Sequence, residues 1–239
     1  MKIFQKFAAE FLGTFILVGG SIGAVAGADS VLSVGLATGL AFMLALYALG
    51  GLAGGYFNPA VSLAMFLDRR IGFIDMLGYW VMQVAGAIAA SALLAWVYTR
   101  EFLGYTYPAL QRGDGINELA GFFAEAVLTL VLVFAILVLA KGEGHAKYVG
   151  MGVALTVTVL VGYMMTGAGV NPARVFAPAL LGGKWDGFWV FIAGPALGAI
   201  VAWALYKIII EGDISLGDDV IAVKDSVVEE TREVIDEID

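Results

Sequence analysis

The chain has 239 residues, 61% hydrophobic and 14% charged, with a mean hydropathy of +0.91. Soluble proteins are roughly 45–50% apolar even with Gly counted and roughly 25% charged, so a soluble globule, a disordered chain and a collagen-like fibre are excluded. Zero cysteines exclude a disulfide-stapled module, a thiol nucleophile and Cys-ligated zinc, and the lone His145 leaves no His-rich metal site.

Apolar runs of membrane length predict six spanning helices, at 7–26, 31–50, 72–98, 119–140, 147–166 and 187–210. The first follows Lys2 and Lys6 and closes on Ala26-Gly27-Ala28, which imitates a cleavable signal peptide. Glu10 inside its apolar stretch argues for a retained span. Between spans lie two shorter apolar stretches, Pro59–Leu67 and Pro172–Leu181, each behind an Asn. At roughly 1.5 Å per residue each reaches roughly 14 Å, about half of a ~30 Å hydrocarbon core. His145 falls in the connection between the fourth and fifth spans and reads as a plain loop residue.

An even number of spans returns both termini to one side. Placing them in the cytoplasm puts Lys2, Lys6, Arg69, Arg70, Lys141, Lys147 and Lys207 inside and Arg100, Arg112 and Lys184 outside, as the positive-inside rule requires. The net charge of −8 belongs to one end of the chain: residues 1–210 carry 11 basic and 10 acidic groups, whereas 211–239 carry 2 and 11. No basic face suits nucleic acid.

We divide the chain into a body, 1–212, and an acidic amphipathic tail, 213–239. In the tail Ile221, Val228 and Ile235 recur every seven residues, with Lys224 and Thr231 between them. Fewer than three heptads make a short amphipathic helix rather than a coiled coil. Two placements stay open for it: a solvated acidic tail, or packing on a neighbouring subunit. Seven glycines within spans (Gly13, Gly35, Gly39, Gly86, Gly162, Gly194 and Gly198) predict close helix contacts.

The body repeats itself. Ala9-Glu10 is echoed by Ala124-Glu125 at an offset of 115, Asn58-Pro59-Ala60 by Asn171-Pro172-Ala173 at 113, and Gly86-Ala87 by Gly198-Ala199 at 112. The halves, about 3–100 and 118–210, hold three spans each. An odd number inverts the second half relative to the first, a plan that places the functional site at the midplane. The expected fold is an all-α membrane protein with six spans and two half-membrane helices in an inverted 3+3 repeat.

Two Asn-Pro-Ala boxes, the second continuing to Arg174, an Ala-Glu early in each half and six spans resemble the aquaporins, or major intrinsic proteins, over about residues 3–210. The boxes have a physical reading of their own. Asn is a favoured N-cap and Pro is pre-organised for the first helical position, so Asn58 and Asn171 start two half-helices. Each N-terminus carries roughly half a positive charge. Two at one depth repel cations and protons, while the Asn amides donate to a passing oxygen. As in aquaporin-type pores generally, an Arg or half-helix dipoles would exclude charge.

Glu10 and Glu125 admit two roles, a brace for the backbone entering each half-helix or a proton relay. The resemblance implies the brace. Arg174 either snorkels or lines a water-filled path. In the family the matching Arg forms the narrowest constriction with three other side chains, which by spacing correspond to Thr38, Val159 and Ala168. Water-strict members carry an aromatic at the first of these positions and His at the second. Glycerol-conducting members carry aromatics at the first and third and an Asp after the Arg, where this chain has Val175. The lost volume predicts glycerol permeation alongside water, unless Phe42, Tyr56, Tyr163 or Phe176 fills the space.

The resemblance thus implies a passive channel for water and small neutral solutes such as glycerol, excluding protons and ions. It further implies a homotetramer in the lipid bilayer of the cell membrane, with cytoplasmic termini. A proton- or ion-coupled transporter and a closed-pore junction protein are the alternatives. No cofactor or metal is expected. Nor is enzymatic chemistry, since no nucleophile–base pair or nucleotide-binding Gly loop is present.

Overall fold

The computed structural model describes residues 3–27, 30–99, 101, 103, 116–213 and 215–238. Its helices are α1 (Ile3–Gly27), α2 (Val31–Ala53), α3 (Pro59–Leu67), α4 (Phe73–Val97), α5 (Glu118–Leu139), α6 (Ala146–Thr166), α7 (Pro172–Gly182), α8 (Val190–Tyr206) and α9 (Leu216–Ile238). Lys2, Ala28, Arg100 and Arg112 lie outside the described residues. Among the described residues six helices, α1, α2, α4, α5, α6 and α8, are long and apolar enough to cross a membrane. The last begins at Val190 rather than near 187, because i→i+3 turns such as Val190 N to Gly187 O (3.0 Å) precede it. It ends in a π-helical turn over Lys207–Glu211.

The repeat is visible in the packing. α1 packs on α2 and α4, and α5 packs on α6 and α8, while α2 against α6 joins the halves. Each half-helix crosses over: α3 leans on α8 of the second half and α7 on α4 of the first. Gly86 and Gly198 explain how the long helices come so close. A Cβ on Gly86 would strike the carbonyl oxygen of Phe11, and one on Gly198 that of Ala126. Small residues substitute for the hydrophobic drive that lipid cannot supply. The outward faces are apolar at every fourth residue, with Leu32, Leu36, Leu40 and Leu44 on α2 matched by Val149, Val153, Val157 and Val161 on α6.

The tail docks on its own chain instead of standing free in solvent, and its exposed stripe leaves the packing on a neighbouring subunit open. α9 folds back on its own body at the junction of α3 and α4, where Val223 is buried against Phe66 and Met76. Asp219 pairs with Arg69 and lies 3.5 Å from Lys207 Nζ. Glu230 accepts from the Ile74 backbone N–H (3.0 Å) in the first turn of α4, where an anion is favoured by the helix dipole. The seven-residue stripe of Ile221, Val228 and Ile235 is exposed. Helical geometry puts it opposite the face carrying Asp219, Val223 and Glu230. His145 stands at the start of α6, its ring 5.5 Å from Tyr47 and 5.7 Å from Tyr148.

Candidate functional site

The two half-helices start as the Asn-Pro pairs dictate. Asn58 Oδ1 accepts the Ala60 N–H at 2.8 Å, and Asn171 Oδ1 accepts those of Ala173 and Arg174 at 3.1 and 3.3 Å. The amide ends of the same side chains reach across the molecule. Asn58 Nδ2 donates to Val170 O and Asn171 Nδ2 to Phe57 O, both at 2.9 Å. An Asn amide carries two hydrogens, so one N–H per Asn remains beyond this tie. The ties hold the positive ends of α3 and α7 against each other at the centre of the bundle.

The loops that lead into the half-helices are conformationally costly. Phe57, Ala168 and Val170 have φ of 50°, 49° and 38°, and for β-branched Val170 that region is a clear outlier. Such strain, about 1–3 kcal/mol per residue, persists only where surroundings enforce it. Here the two buried glutamates do so. Glu10 accepts from Tyr56 N (3.0 Å), Phe57 N (2.8 Å) and Gln83 Nε2 (2.7 Å). Glu125 accepts from Gly169 N (2.8 Å), Val170 N (2.7 Å) and the Thr166 hydroxyl. Both glutamates are fully buried.

A narrow cavity of about 30 Å³ runs past these loops, and Thr38, Asn58, Val159, Ala168, Asn171 and Arg174 all line it. Pro59, Ala60 and Pro172 instead face a separate apolar cavity beside Trp80 and Phe176, and Ala173 is buried in the core. The central lining therefore combines Asn amides and one guanidinium with apolar walls such as Leu17, Val34, Leu132 and Leu155. Among its described lining residues none is a carboxylate. Phe42 and Tyr56 also line it, whereas Phe176 packs with Trp185 and Phe188.

The sequence reading missed Ser21. Its Oγ lies 3.3 Å from Thr38 Oγ1 and 3.5 Å from Arg174 Nε, joining two of the predicted residues from a third helix. Thr38 also donates to Val34 O at 2.8 Å. Also missed were Gln83, which links Glu10 to Ser62 (2.8 Å), and Thr166, whose oxygen accepts the Ala168 N–H (3.1 Å). Each is a lone polar residue in an apolar run, and that was the available signal.

A family model described as Major intrinsic protein matches residues 1–206. The chain belongs to the major intrinsic protein family. Among major intrinsic proteins, it is 40% identical over 204 residues to the glycerol uptake facilitator protein-like 6 of Lactiplantibacillus plantarum, spanning 83% of this chain and 94% of that one. It is 35% identical over 222 residues to aquaporin Z of Brucella melitensis biotype 1, spanning 85% and 96% respectively. The X-ray structure of the aquaglyceroporin from Plasmodium falciparum superimposes with a TM-score of 0.79 at 23% identity, covering 87% of this chain and 97% of that one. That likeness establishes the aquaporin fold. The family is one of membrane channels.

Proposed function

We propose that the protein is a passive channel for water and glycerol that excludes protons and ions. The observation that carries this reading is the cross-tie between Asn58 and Asn171 beside Arg174 in one otherwise apolar cavity. A solute passing there exchanges part of its water shell for Asn donors on one side while its carbons meet apolar walls. No bond is made or broken. A cation meets two helix N-termini and a guanidinium with no carboxylate among the described lining residues to offset them.

In this reading Asn58, Pro59, Ala60, Asn171, Pro172 and Ala173 build the dipole barrier. Thr38, Val159, Ala168 and Arg174 form the selectivity filter, with Ser21 orienting Thr38 and Arg174. Glu10 and Glu125 are braces, because each carboxylate is engaged by three donors from the loop and its support. Residues 1–212 form the channel unit and 213–239 a strap on it. The working assembly is a homotetramer with both termini in the cytoplasm and a pore in each subunit. The relatives named as a glycerol uptake facilitator and an aquaporin support the choice of solutes.

The test is osmotic shrinkage and glycerol re-swelling of proteoliposomes. Both rates should exceed those of empty vesicles and ignore an imposed proton gradient or potential. Flux that follows the gradient identifies a coupled transporter, and no flux identifies a closed-pore protein.

A further inference from the structure

Tyr56 is a wall of three cavities at once. It closes one side of the central cavity, and it also lines two others, of about 150 and 410 Å³, that open among Lys6, Arg70 and Lys147. Those three bases belong to the start of α1, the α3–α4 junction and the start of α6, so these cavities form the vestibule at that end of the bundle. Among the described residues, Tyr56 is the one that the lining of the central cavity shares with the linings of these two.

The ring is held from several directions. Its backbone N–H is fixed on Glu10, its ring lies 5.8 Å from that of Tyr79, and Gly54 lies beneath it. A Cβ on Gly54 would come within 2.6 Å of the phenol oxygen, so glycine there makes room for the ring. Tyr56 is 9% exposed.

The internal repeat makes this position conspicuous. At the offset of 113 that relates the two Asn-Pro boxes, the counterpart of Tyr56 is Gly169. One half of the pore therefore carries a phenol ring at the point where the other carries no side chain. On the Arg174 side the lining is small, with Thr38, Val159 and Ala168.

We infer that Tyr56 forms a second constriction, in series with the Arg174 zone, and that it sets the upper size of the polyols that pass. The inference rests on the channel reading above. The Arg174 zone, with Thr38, Val159 and Ala168 around it, presents only small side chains at those positions, and the Tyr56 ring limits polyols by cross-section before they reach the vestibule. Its phenol oxygen, an acceptor and donor on an otherwise apolar ring, offers a hydroxyl-bearing solute one hydrogen bond at that point.

The experiment is a volume series, Tyr56→Phe, Tyr56→Val and Tyr56→Ala, in proteoliposomes, with water, glycerol and a five-carbon polyol as probes. Surface expression and thermal unfolding of the purified protein check folding of each variant. Glycerol flux relative to water should rise steadily from Phe to Val to Ala. For Tyr56→Ala the rise should be about tenfold, equivalent to roughly 1.4 kcal/mol off the barrier, and the five-carbon polyol should begin to pass. Equal solute ratios in folded Phe, Val and Ala variants would overturn the inference while leaving the channel reading intact, provided the parent passes water. A parent and a folded Tyr56→Ala that both fail to pass water would overturn both. If Tyr56→Ala does not fold, the Phe and Val variants still decide the matter by their ratio.

Discussion

Asn58 and Asn171 each donate to the carbonyl that precedes the other, Asn58 to Val170 O and Asn171 to Phe57 O, at the same 2.9 Å. The reciprocity follows from the inverted repeat. Each Asn uses its oxygen to cap its own half-helix and its nitrogen to hold the other half's loop. The site is thus a joint between two copies of one motif, and neither copy completes it alone.

Charge exclusion should fail when this joint is altered electrically. Arg174→Val removes the fixed charge from the cavity, so proton or cation leakage should rise while water still passes. Asn58→Asp replaces a donor by a carboxylate facing the Val170 carbonyl. It should both leak and lose about 1–3 kcal/mol of stability from the broken tie. Voltage-clamped bilayers read the leak; folded variants that remain tight to ions would refute the electrostatic account.

The glutamate braces make a separate prediction. Glu125→Gln puts an amide N–H where carboxylate oxygen accepts Gly169 N, Val170 N or the Thr166 hydroxyl. Stranding one such buried donor costs about 1–3 kcal/mol. Thermal unfolding in detergent should therefore fall for Glu125→Gln and for Glu10→Gln. A proton relay predicts the opposite pattern, with stability kept and a proton-linked flux lost.

The constriction can be probed by adding bulk. Thr38→Phe should cut glycerol flux much more than water flux, because the added ring occupies the side of the cavity facing Arg174. Ala168→Cys offers an independent check of the lining. The parent has no cysteine and should ignore mercurials, whereas the labelled variant should be blocked. Unchanged flux after confirmed labelling would remove Ala168 from the pathway.

Much of this was legible because membrane constraints are few and strict. Apolar length marked the six spans, and Asn followed by Pro marked both half-helices to the residue, at Pro59 and Pro172. The central pairing of Asn58 with Asn171 followed from the repeat. Ser21 was invisible because a single Ser in an apolar helix gives no direction; only the packing of α1 against α2 turns it toward Thr38. The docked face of the tail was hidden for a related reason. Its seven-residue stripe of Ile221, Val228 and Ile235 is the more regular apolar pattern, yet the docked face is built from charges, Asp219 and Glu230, flanking Val223.

The strap should come loose when its charges are removed. Asp219→Ala leaves Arg69 without that partner, and Glu230→Ala uncovers the Ile74 N–H. Together they should speed protease cleavage within 216–238 while the six spans stay folded. Acid acts in the same direction through Asp213, which the Ser215 hydroxyl and N–H hold below the usual carboxylate range. A lowered carboxyl pKa stabilises the folded form above the unfolded value and loses that contribution as pH falls through the folded one. Cleavage should therefore accelerate on acidification below the ordinary aspartate range. Equal rates in parent and double variant at neutral pH would mean that these contacts do not hold the tail.

The most direct test of the central claim is simultaneous measurement of water flux, glycerol flux and proton current in vesicles holding the unmodified protein. The account predicts water and glycerol permeabilities well above those of empty vesicles, unchanged by a proton gradient, with no proton current. Proton current accompanying the water, or solute movement that tracks the gradient, would contradict it.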